Sequence, residues 1–380
     1  MEKFAIGLMS GTSLDGIDVA LAKVAGFSMS TKLHWLDFKT YPYEPEDLKV
    51  IKQVMSSPVD IRLVSSLHNR LGHVYADAVI KFCETHDIML TDLAFIASHG
   101  QTICHLGVSD ASYTRSTLQL GDGSIIAQRC LTDVVSDFRS ADMAVGGQGA
   151  PLVPYADYVL FGQSGSGRIM QNIGGIANLS VLSRQGRLED IMAFDTGPGN
   201  MVLDAAVQHF FDLPYDEDGT IARHGRLDQA LLNALKQHPF FNEKPPKSAG
   251  REQFGQAFFN KLLTRYANVC AEDMVATLTR FTVDTILEAY QRFVLPQYSI
   301  DEVIISGGGA YNKTILEQLN LGLPSCKVMP LEALGLNSKA KEAMCFIVLA
   351  NETLQGQPAN VPSATGASRP AVLGKISRYT

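Results

Sequence analysis

The stretch FAIGLMSGTSLDGIDVALAKV, residues 4–24, wraps two apolar runs around a polar knot, Ser10-Gly11-Thr12-Ser13-Leu14-Asp15-Gly16-Ile17-Asp18. Short apolar runs bounded by Gly, Ser and Asp read as strands, so residues 4–9 and 17–24 predict a β-hairpin with an elaborate polar turn. The shape returns at RIMQNIGGIANLSVL, residues 168–182, as strand, Gly-Gly turn and strand, although the residue-by-residue likeness is weak. A chain that begins again near its middle points to an internal structural duplication.

The rest of the pattern fits two α/β halves. Helical spacing covers 46–56 and 60–86, with Ile61, Val64, Leu67, Leu71, Val74, Tyr75 and Ala78 on one stripe. Strands are expected at 93–102, at the start of 117–130 before a Gly-Asp-Gly turn and short helix, and at 132–138. FRSADMAVGGQGAPLVP (138–154) is Gly-rich, ends in prolines and reads as the domain junction. In the second half a strand enters the loop DTGPGN, helices cover 201–211, 271–294 and 337–354, and DEVIISGGGAYN (301–312) reads as strand, glycines and helix start. Residues 212–256, rich in Pro, Gly and charge, read as an excursion over the surface. The expectation is α/β architecture with two similar domains, 1–150 and 151–380, a cleft between them and a C-terminal tail that packs back on the first.

At 380 residues and 46% hydrophobic content the chain can bury a substantial core, and its formal charge of -7 argues against nonspecific nucleic-acid binding. The six cysteines are scattered without a C-x-x-C pair, as expected of reduced thiols in a cytosolic protein. The N-terminal apolar run is too short for a signal peptide, and no run is long enough for a membrane span. A cytoplasmic location, away from membranes, is the expectation.

Three Gly-rich loops, 10–18, 195–200 and 306–310, each follow a strand. Glycine lets backbone N–H groups approach an anion, and helix N-termini favour negative charge. The first loop has the Gly11–Gly16 spacing of a phosphate loop, but Ile17 and Asp18 stand where Lys and Ser/Thr belong. GQSGSG (162–167) lacks the strand-to-helix context of a dinucleotide fingerprint, and DLPYDEDGT (212–220) fails as a calcium loop. His99 and His105 read as hydrogen-bonded or substrate-facing side chains, not as metal ligands. Asp15 and Asp18 in the first loop suit Mg²⁺ held through water beside phosphate, while an Asx-turn is the alternative for Asp15. Asp195 closes an apolar strand at the mouth of the second loop, where a carboxylate can serve as a base. Helix capping is its alternative role, for which Asn200 is better placed.

Together, MSGTSLDGID, SHGQT, SDFR, GGQGAPLVP, NIGGIANL, FDTGPGN and SGGGAYN resemble the anhydro-N-acetylmuramic acid kinase family, within the acetate and sugar kinase/Hsp70/actin fold. The resemblance spans residues 5 to about 350, and it implies coupled chemistry. Water opens the 1,6-anhydro ring at C1, and ATP phosphorylates O6 to give N-acetylmuramate 6-phosphate in peptidoglycan recycling. It implies that Asp195 is the base. Gly11, Thr12, Ser13, Leu14, Asp15, Gly16, Ile17 and Asp18 then hold the phosphates and Mg²⁺, joined by Gly197 and Gly199, while Ser306, Gly307, Gly308 and Gly309 lie along the nucleotide. His99, Gln101, Thr102, Arg139 and Glu342 are expected on the sugar side. A domain-junction salt bridge is the alternative for Arg139, and a solvated helix face for Glu342. A homodimer is implied as well. The rival functions are another small-molecule kinase of this fold acting on an ordinary hydroxyl, and a nucleotide-gated chaperone or filament protein.

Overall fold

The computed structural model describes every residue except Met1, Thr12, Ser13, Ser57, Gln163, Ser164 and Thr380. In chain order its strands are β1 (Lys3–Ser10), β2 (Ile17–Ala25), β3 (Lys32–Tyr41), β4 (Leu93–Leu106), β5 (Ser116–Leu120), β6 (Val134–Ser136), β7 (Arg168–Ile173), β8 (Ile176–Leu182), β9 (Met192–Pro198), β10 (Glu302–Ser306), β11 (Lys327–Pro330) and β12 (Lys375–Ser377). They form two sheets in two units, Met1–Phe161 with Ala340–Thr380, and Gly162–Lys339.

The two sheets repeat one topology. In the first unit β1, β2 and β3 form an antiparallel meander, β4 lies parallel to β1 on the other side, and β6 lies parallel to β4. In the second, β7, β8 and β9 form the meander, β10 runs parallel to β7, and β11 parallel to β10. The expected duplication is therefore present as strand order. The first sheet alone adds β5 against β4 and β12 against β6.

The central strand β1 is apolar along its length because it is covered on both faces. Ala5, Ile6 and Leu8 are buried, and Gly7 is a glycine for steric reasons, since a β-carbon there would overlap the Ala343 carbonyl. Ala343 belongs to the helix Lys341–Leu354, which is buried over most of its length and packs on β1, β2 and β4. That packing and the β6–β12 pairing put residues 340–380 in the first unit, not in a domain that begins at 151. The other boundary falls at Phe161/Gly162 and not at 150. The helix Val153–Phe161 buries Tyr155, Ala156 and Val159, and its Asp157 forms a buried ion pair with Lys341 at 3.0 Å. The helix Ile61–Thr85 is capped by Asp60 and buries Leu67, Leu71, Tyr75 and Ala78, but its first residue, Ile61, is 75% exposed.

In the second unit the helix Ala271–Ala289 packs on the sheet, and a separate apolar cluster lies beneath the helix Met201–Phe211. That cluster corrects the expectation for 212–256. The segment holds short helices at Thr220–His224, Gln229–Leu235 and Arg251–Phe254, and it sends Leu231, Leu232, Leu235, Phe240, Phe241 and Phe254 into the core. Its polar composition belongs to the residues between these anchors. Among the described residues, no helix is long and apolar enough to cross a membrane.

Candidate active site

The first loop is the β1–β2 turn. Thr12 and Ser13 lie outside the described residues. Leu14 takes a left-handed conformation, φ 65°, and its N–H donates to the Gly11 carbonyl at 3.3 Å. Gly16 has φ 152°, and a β-carbon there would approach the Tyr41 carbonyl to 2.6 Å. Ile17 is buried and paired with Tyr41 in the sheet, so its side chain belongs to the core.

A buried polar chain that sequence patterns did not reveal supports this turn. Ser10 Oγ and the Tyr75 hydroxyl are 2.8 Å apart, and the Tyr43 and Tyr75 hydroxyls are 3.4 Å apart. The Tyr43 hydroxyl donates to Gln101 Oε1 at 3.2 Å, and Gln101 Nε2 donates to the Gly11 carbonyl at 3.2 Å. Burial pushes the Tyr75 hydroxyl well above its ordinary range, which keeps it a neutral donor. Gln101, expected on the sugar side, has no exposed surface and braces the first loop instead. Thr102 is partly buried and accepts from Gln119 at 3.3 Å.

Asp15 is exposed and makes no side-chain hydrogen bond among the described residues, so the Asx-turn alternative is not seen there. Asp18 accepts from Thr40 Oγ1 at 2.6 Å. No group of three or more His, Cys, Asp or Glu able to hold a metal occurs among the described residues. Magnesium fits this donor set only as an ion held chiefly by phosphate and water, with one or two carboxylates, which is its usual mode.

Three of the expected sugar-side residues meet in the first unit. Arg139 directs Nε and Nη2 at His99 Nε2, at 3.1 and 2.9 Å, and donates Nη1 to the Gly149 carbonyl at 2.7 Å. Accepting these bonds leaves the His99 proton on Nδ1, 2.7 Å from the Gly100 carbonyl. Burial first, then the Arg139 charge, brings His99 down to about 3, so the ring is neutral. Burial lowers Arg139 to about 10, against the fields of Glu342 and Asp142. Glu342 is partly buried and shifted upward by burial, with Lys341 and Arg139 opposing, so its helix face is not solvated. Arg139 forms no ion pair within the described residues, which removes the salt-bridge alternative. Phe346 packs against both His99 and Phe138. Asp142, absent from the sequence expectations, holds the following loop by accepting from Gly149 N, Asn360 Nδ2 and Thr365 Oγ1, each at 2.8 Å.

In the second unit Asp195 sits on β9, partly buried. Its N–H donates to the Lys247 carbonyl at 3.0 Å, and its Oδ2 accepts from the Ala249 N–H at 2.7 Å. Burial raises its carboxyl to about 7, Ala249 N–H and Lys247 pull downward, and Glu252 pushes upward. The segment that clamps it lies inside the stretch expected to be a surface excursion.

The second Gly loop departs from the expected cradle. The N–H groups of Gly199 and Met201 donate to the Gly175 carbonyl and that of Asn200 to the Gly174 carbonyl, at 3.0, 3.1 and 2.7 Å. These amides bind the β7–β8 turn, so they are not presented to an anion. Asn200 does not cap the helix through its side chain, because Nδ2 donates to the Ile173 carbonyl at 3.1 Å. Gly197, with φ 144°, passes close to the Phe241 ring. In the duplicated topology the counterpart of the β1–β2 turn is Gly174–Gly175. Ser306 is fully buried, and Gly307, φ 80°, packs so tightly that a β-carbon would meet Asn172 Oδ1 at 2.5 Å. Gly308 and Gly309 enter a 3₁₀ turn, Gly308–Tyr311, before the helix Lys313–Gly322, whose cap is Asn312. The glycines of 174–175 and 307–309 thus gather beside Asn172, Ile173 and Asn200.

The family model for anhydro-N-acetylmuramic acid kinase matches residues 3–379. A protein of that name from Bacillus thuringiensis subsp. konkukian is 45% identical over 377 residues, covering 98% of this chain and 99% of its own. One from Bacillus cereus (strain G9842) is 46% identical over the same coverage. Among solved structures, the activator of the 2-hydroxyisocaproyl-CoA dehydratase from Clostridium difficile aligns with 93% of this chain and 96% of its own, at a TM-score of 0.45 and 12% identity. By the match of the family model and the identity of these relatives over almost their whole length, the chain belongs to the anhydro-N-acetylmuramic acid kinase family.

Proposed function

We propose that this kinase opens the 1,6-anhydro ring of 1,6-anhydro-N-acetylmuramic acid with water and transfers the γ-phosphoryl group of ATP to the freed O6. The observation that carries the catalytic assignment is Asp195, a carboxyl on β9 anchored through one oxygen and raised to about 7 by burial. A base is most effective when it titrates near the working pH. Asp195 takes a proton from water as the water oxygen bonds to C1. The C1–O6 bond breaks, O6 attacks the γ-phosphorus, and ADP leaves. The products are N-acetylmuramate 6-phosphate, ADP and the proton released from Asp195.

The other roles follow by chemistry. Arg139, oriented by neutral His99, suits a carboxylate, because a guanidinium binds one bidentately. Glu342 lies in the same cluster. The first loop and the glycines at 307–309 offer backbone to the nucleotide, and Asp15 and Asp18 would hold Mg²⁺ through water. When bound, that ion neutralises charge on the phosphates. The reading extends to a homodimer acting in the cytoplasm, as the family resemblance implies.

The test is mass spectrometry of the rapidly quenched product from ATP, Mg²⁺, the anhydro sugar and ¹⁸O-water. Gain of one phosphoryl group and one water, with the label at C1, is expected. Gain of phosphate alone would overturn the coupled mechanism.

A further inference from the structure

Two lysines are buried among the described residues, Lys247 and Lys341. A buried ammonium normally sits against a carboxylate. Lys341 has Asp157 at 3.0 Å. Lys247, 8% exposed, has no carboxylate within ion-pair distance among the described residues. Its Nζ donates to the Phe240 carbonyl at 3.2 Å and lies 4.2 Å from the centre of the Phe240 ring and 5.6 Å from that of Phe293. One of three ammonium donors is spent on an oxygen, and the charge itself is unmatched by contact. The same residue gives its carbonyl to the Asp195 N–H, and Ala249, two residues on, gives its N–H to Asp195 Oδ2. Two hydrogen bonds therefore tie the main chain that bears Lys247 directly to Asp195.

We infer that Lys247 is a positioning residue for Asp195, its buried ammonium supplying the field that keeps this carboxylate ionised and able to accept a proton. The inference rests on the reading of Asp195 as the base. The charged surroundings agree in sign. Asp195 is faced by Lys247 and, with opposite effect, by Glu252. Lys247 is faced by Asp195, Glu243 and Arg292. Arg292 is committed to the Phe241 carbonyl at 2.6 Å, and His238, packed edge-on or tilted among Phe241, Phe254 and Phe258, feels Glu243. Burial and Arg292 bring Lys247 down to about 8, so it is charged where Asp195 titrates.

The experiment is the pH profile of kcat/KM for Lys247→Met and Lys247→Arg, beside ¹³C NMR titration of the Asp195 carboxyl. An opposite charge nearby lowers a carboxyl by about one pH unit or more. Lys247→Met is expected to move both the acid limb and the NMR midpoint up by about one unit, and Lys247→Arg to return them. Lys247→Gln, which still donates to the Phe240 carbonyl, replaces the methionine variant if that does not fold. An unmoved midpoint in a folded, uncharged variant overturns the inference. If Asp195→Asn keeps its turnover, the base assignment fails, and the NMR midpoint still decides whether Lys247 sets the carboxylate. If Asp195→Asn is inactive and the midpoint does not move, the Lys247 inference alone fails.

Discussion

Replacing Asp195 by Asn should abolish turnover and stabilise the protein. The carboxyl titrates near 3.8 when unperturbed and near 7 in the folded chain, where burial disfavours its charge. The folded state therefore binds this proton more tightly than the unfolded state. The resulting stability is fully present below about 3.8 and is lost as pH rises through 7. A gap of roughly three units at ~1.4 kcal/mol each sets a ceiling of about 4 kcal/mol. Partial solvent access to the side chain reduces this to about 2 kcal/mol. Asn keeps an acceptor for the Ala249 N–H and carries no charge. At pH 8 the variant should melt about 4–8 °C higher than the wild type, on the scale of a domain the size of the second unit. The comparison removes one titrating carboxyl, and Lys247, whose charge Asp195 supports, is the group whose own titration shifts with it. The gap should narrow as pH falls towards 4. In the wild type, turnover should rise roughly tenfold between pH 6 and 8 as the base ionises. Differential scanning calorimetry across pH and initial-rate kinetics test both halves. A variant no more stable at pH 8, or a gap independent of pH, would refute the electrostatic account, and retained turnover would remove Asp195 as the base.

Gln101→Ala removes the bonds to the Gly11 carbonyl and the Tyr43 hydroxyl, so it should cost about 1–2 kcal/mol and raise the KM for ATP more than that for the sugar. Denaturant titration and separate KM measurements check it, and an unchanged KM for ATP would detach the brace from nucleotide binding. Arg139→Ala leaves His99 Nε2 and the Gly149 carbonyl without their donor and should impair sugar use, with ATP binding by calorimetry nearly intact. A loss confined to stability would make Arg139 purely structural. Phe254→Ala should destabilise by about 3–5 kcal/mol, because the ring is fully buried against Phe240, Phe241 and Phe258. It should also lower turnover by loosening the segment that clamps Asp195, and full activity at unchanged KM would show the clamp to be independent of the aromatic cluster.

Local patterns carried the elements whose causes are local. The β1–β2 hairpin follows from two apolar runs and a Gly-containing turn, and the helix Ile61–Thr85 from its stripe and its Asp60 cap. What escaped depends on partners distant in sequence. Nothing local to Lys341–Leu354 says that the helix will cover β1, and its mark is a glycine more than three hundred residues earlier with no room for a side chain. Residues 212–256 read as surface because charge and proline separate the phenylalanines, whose burial is evident only once Phe240, Phe241, Phe254 and Phe281 meet. The site divides the same way. Asp195 is legible as an acid following an apolar run, but β9 continues to Pro198 and makes it a mid-strand residue, and the residue that holds its Oδ2 lies 54 positions on. Asn200 was misread as a cap because the competing acceptor, the Ile173 carbonyl, belongs to a hairpin 27 residues back.

The duplication explains why the two units carry different glycine loops on the same strand order. Each supports its central hairpin with a buried glutamine whose amide oxygen accepts a tyrosine hydroxyl, Gln101 from Tyr43 at 3.2 Å and Gln171 from Tyr290 at 2.9 Å. In the second unit Gln171 Nε2 bonds the Asn172 and Asn178 carbonyls, on the strands flanking the Gly174–Gly175 turn. In the first the glutamine comes from β4 and bonds Gly11 inside the turn itself. Moving the brace from the strands into the loop stiffens the longer turn. That turn carries Asp15 and leads into Asp18 on β2, whereas its counterpart is a bare pair of glycines. A longer loop has more residues to order than a two-residue Gly-Gly turn, and a preformed brace lowers the entropy to be lost when a ligand binds. The polar chain Ser10–Tyr75–Tyr43–Gln101 thus reaches into the longer of the two turns, whereas Nε2 of the second unit's glutamine bonds only the flanking strands.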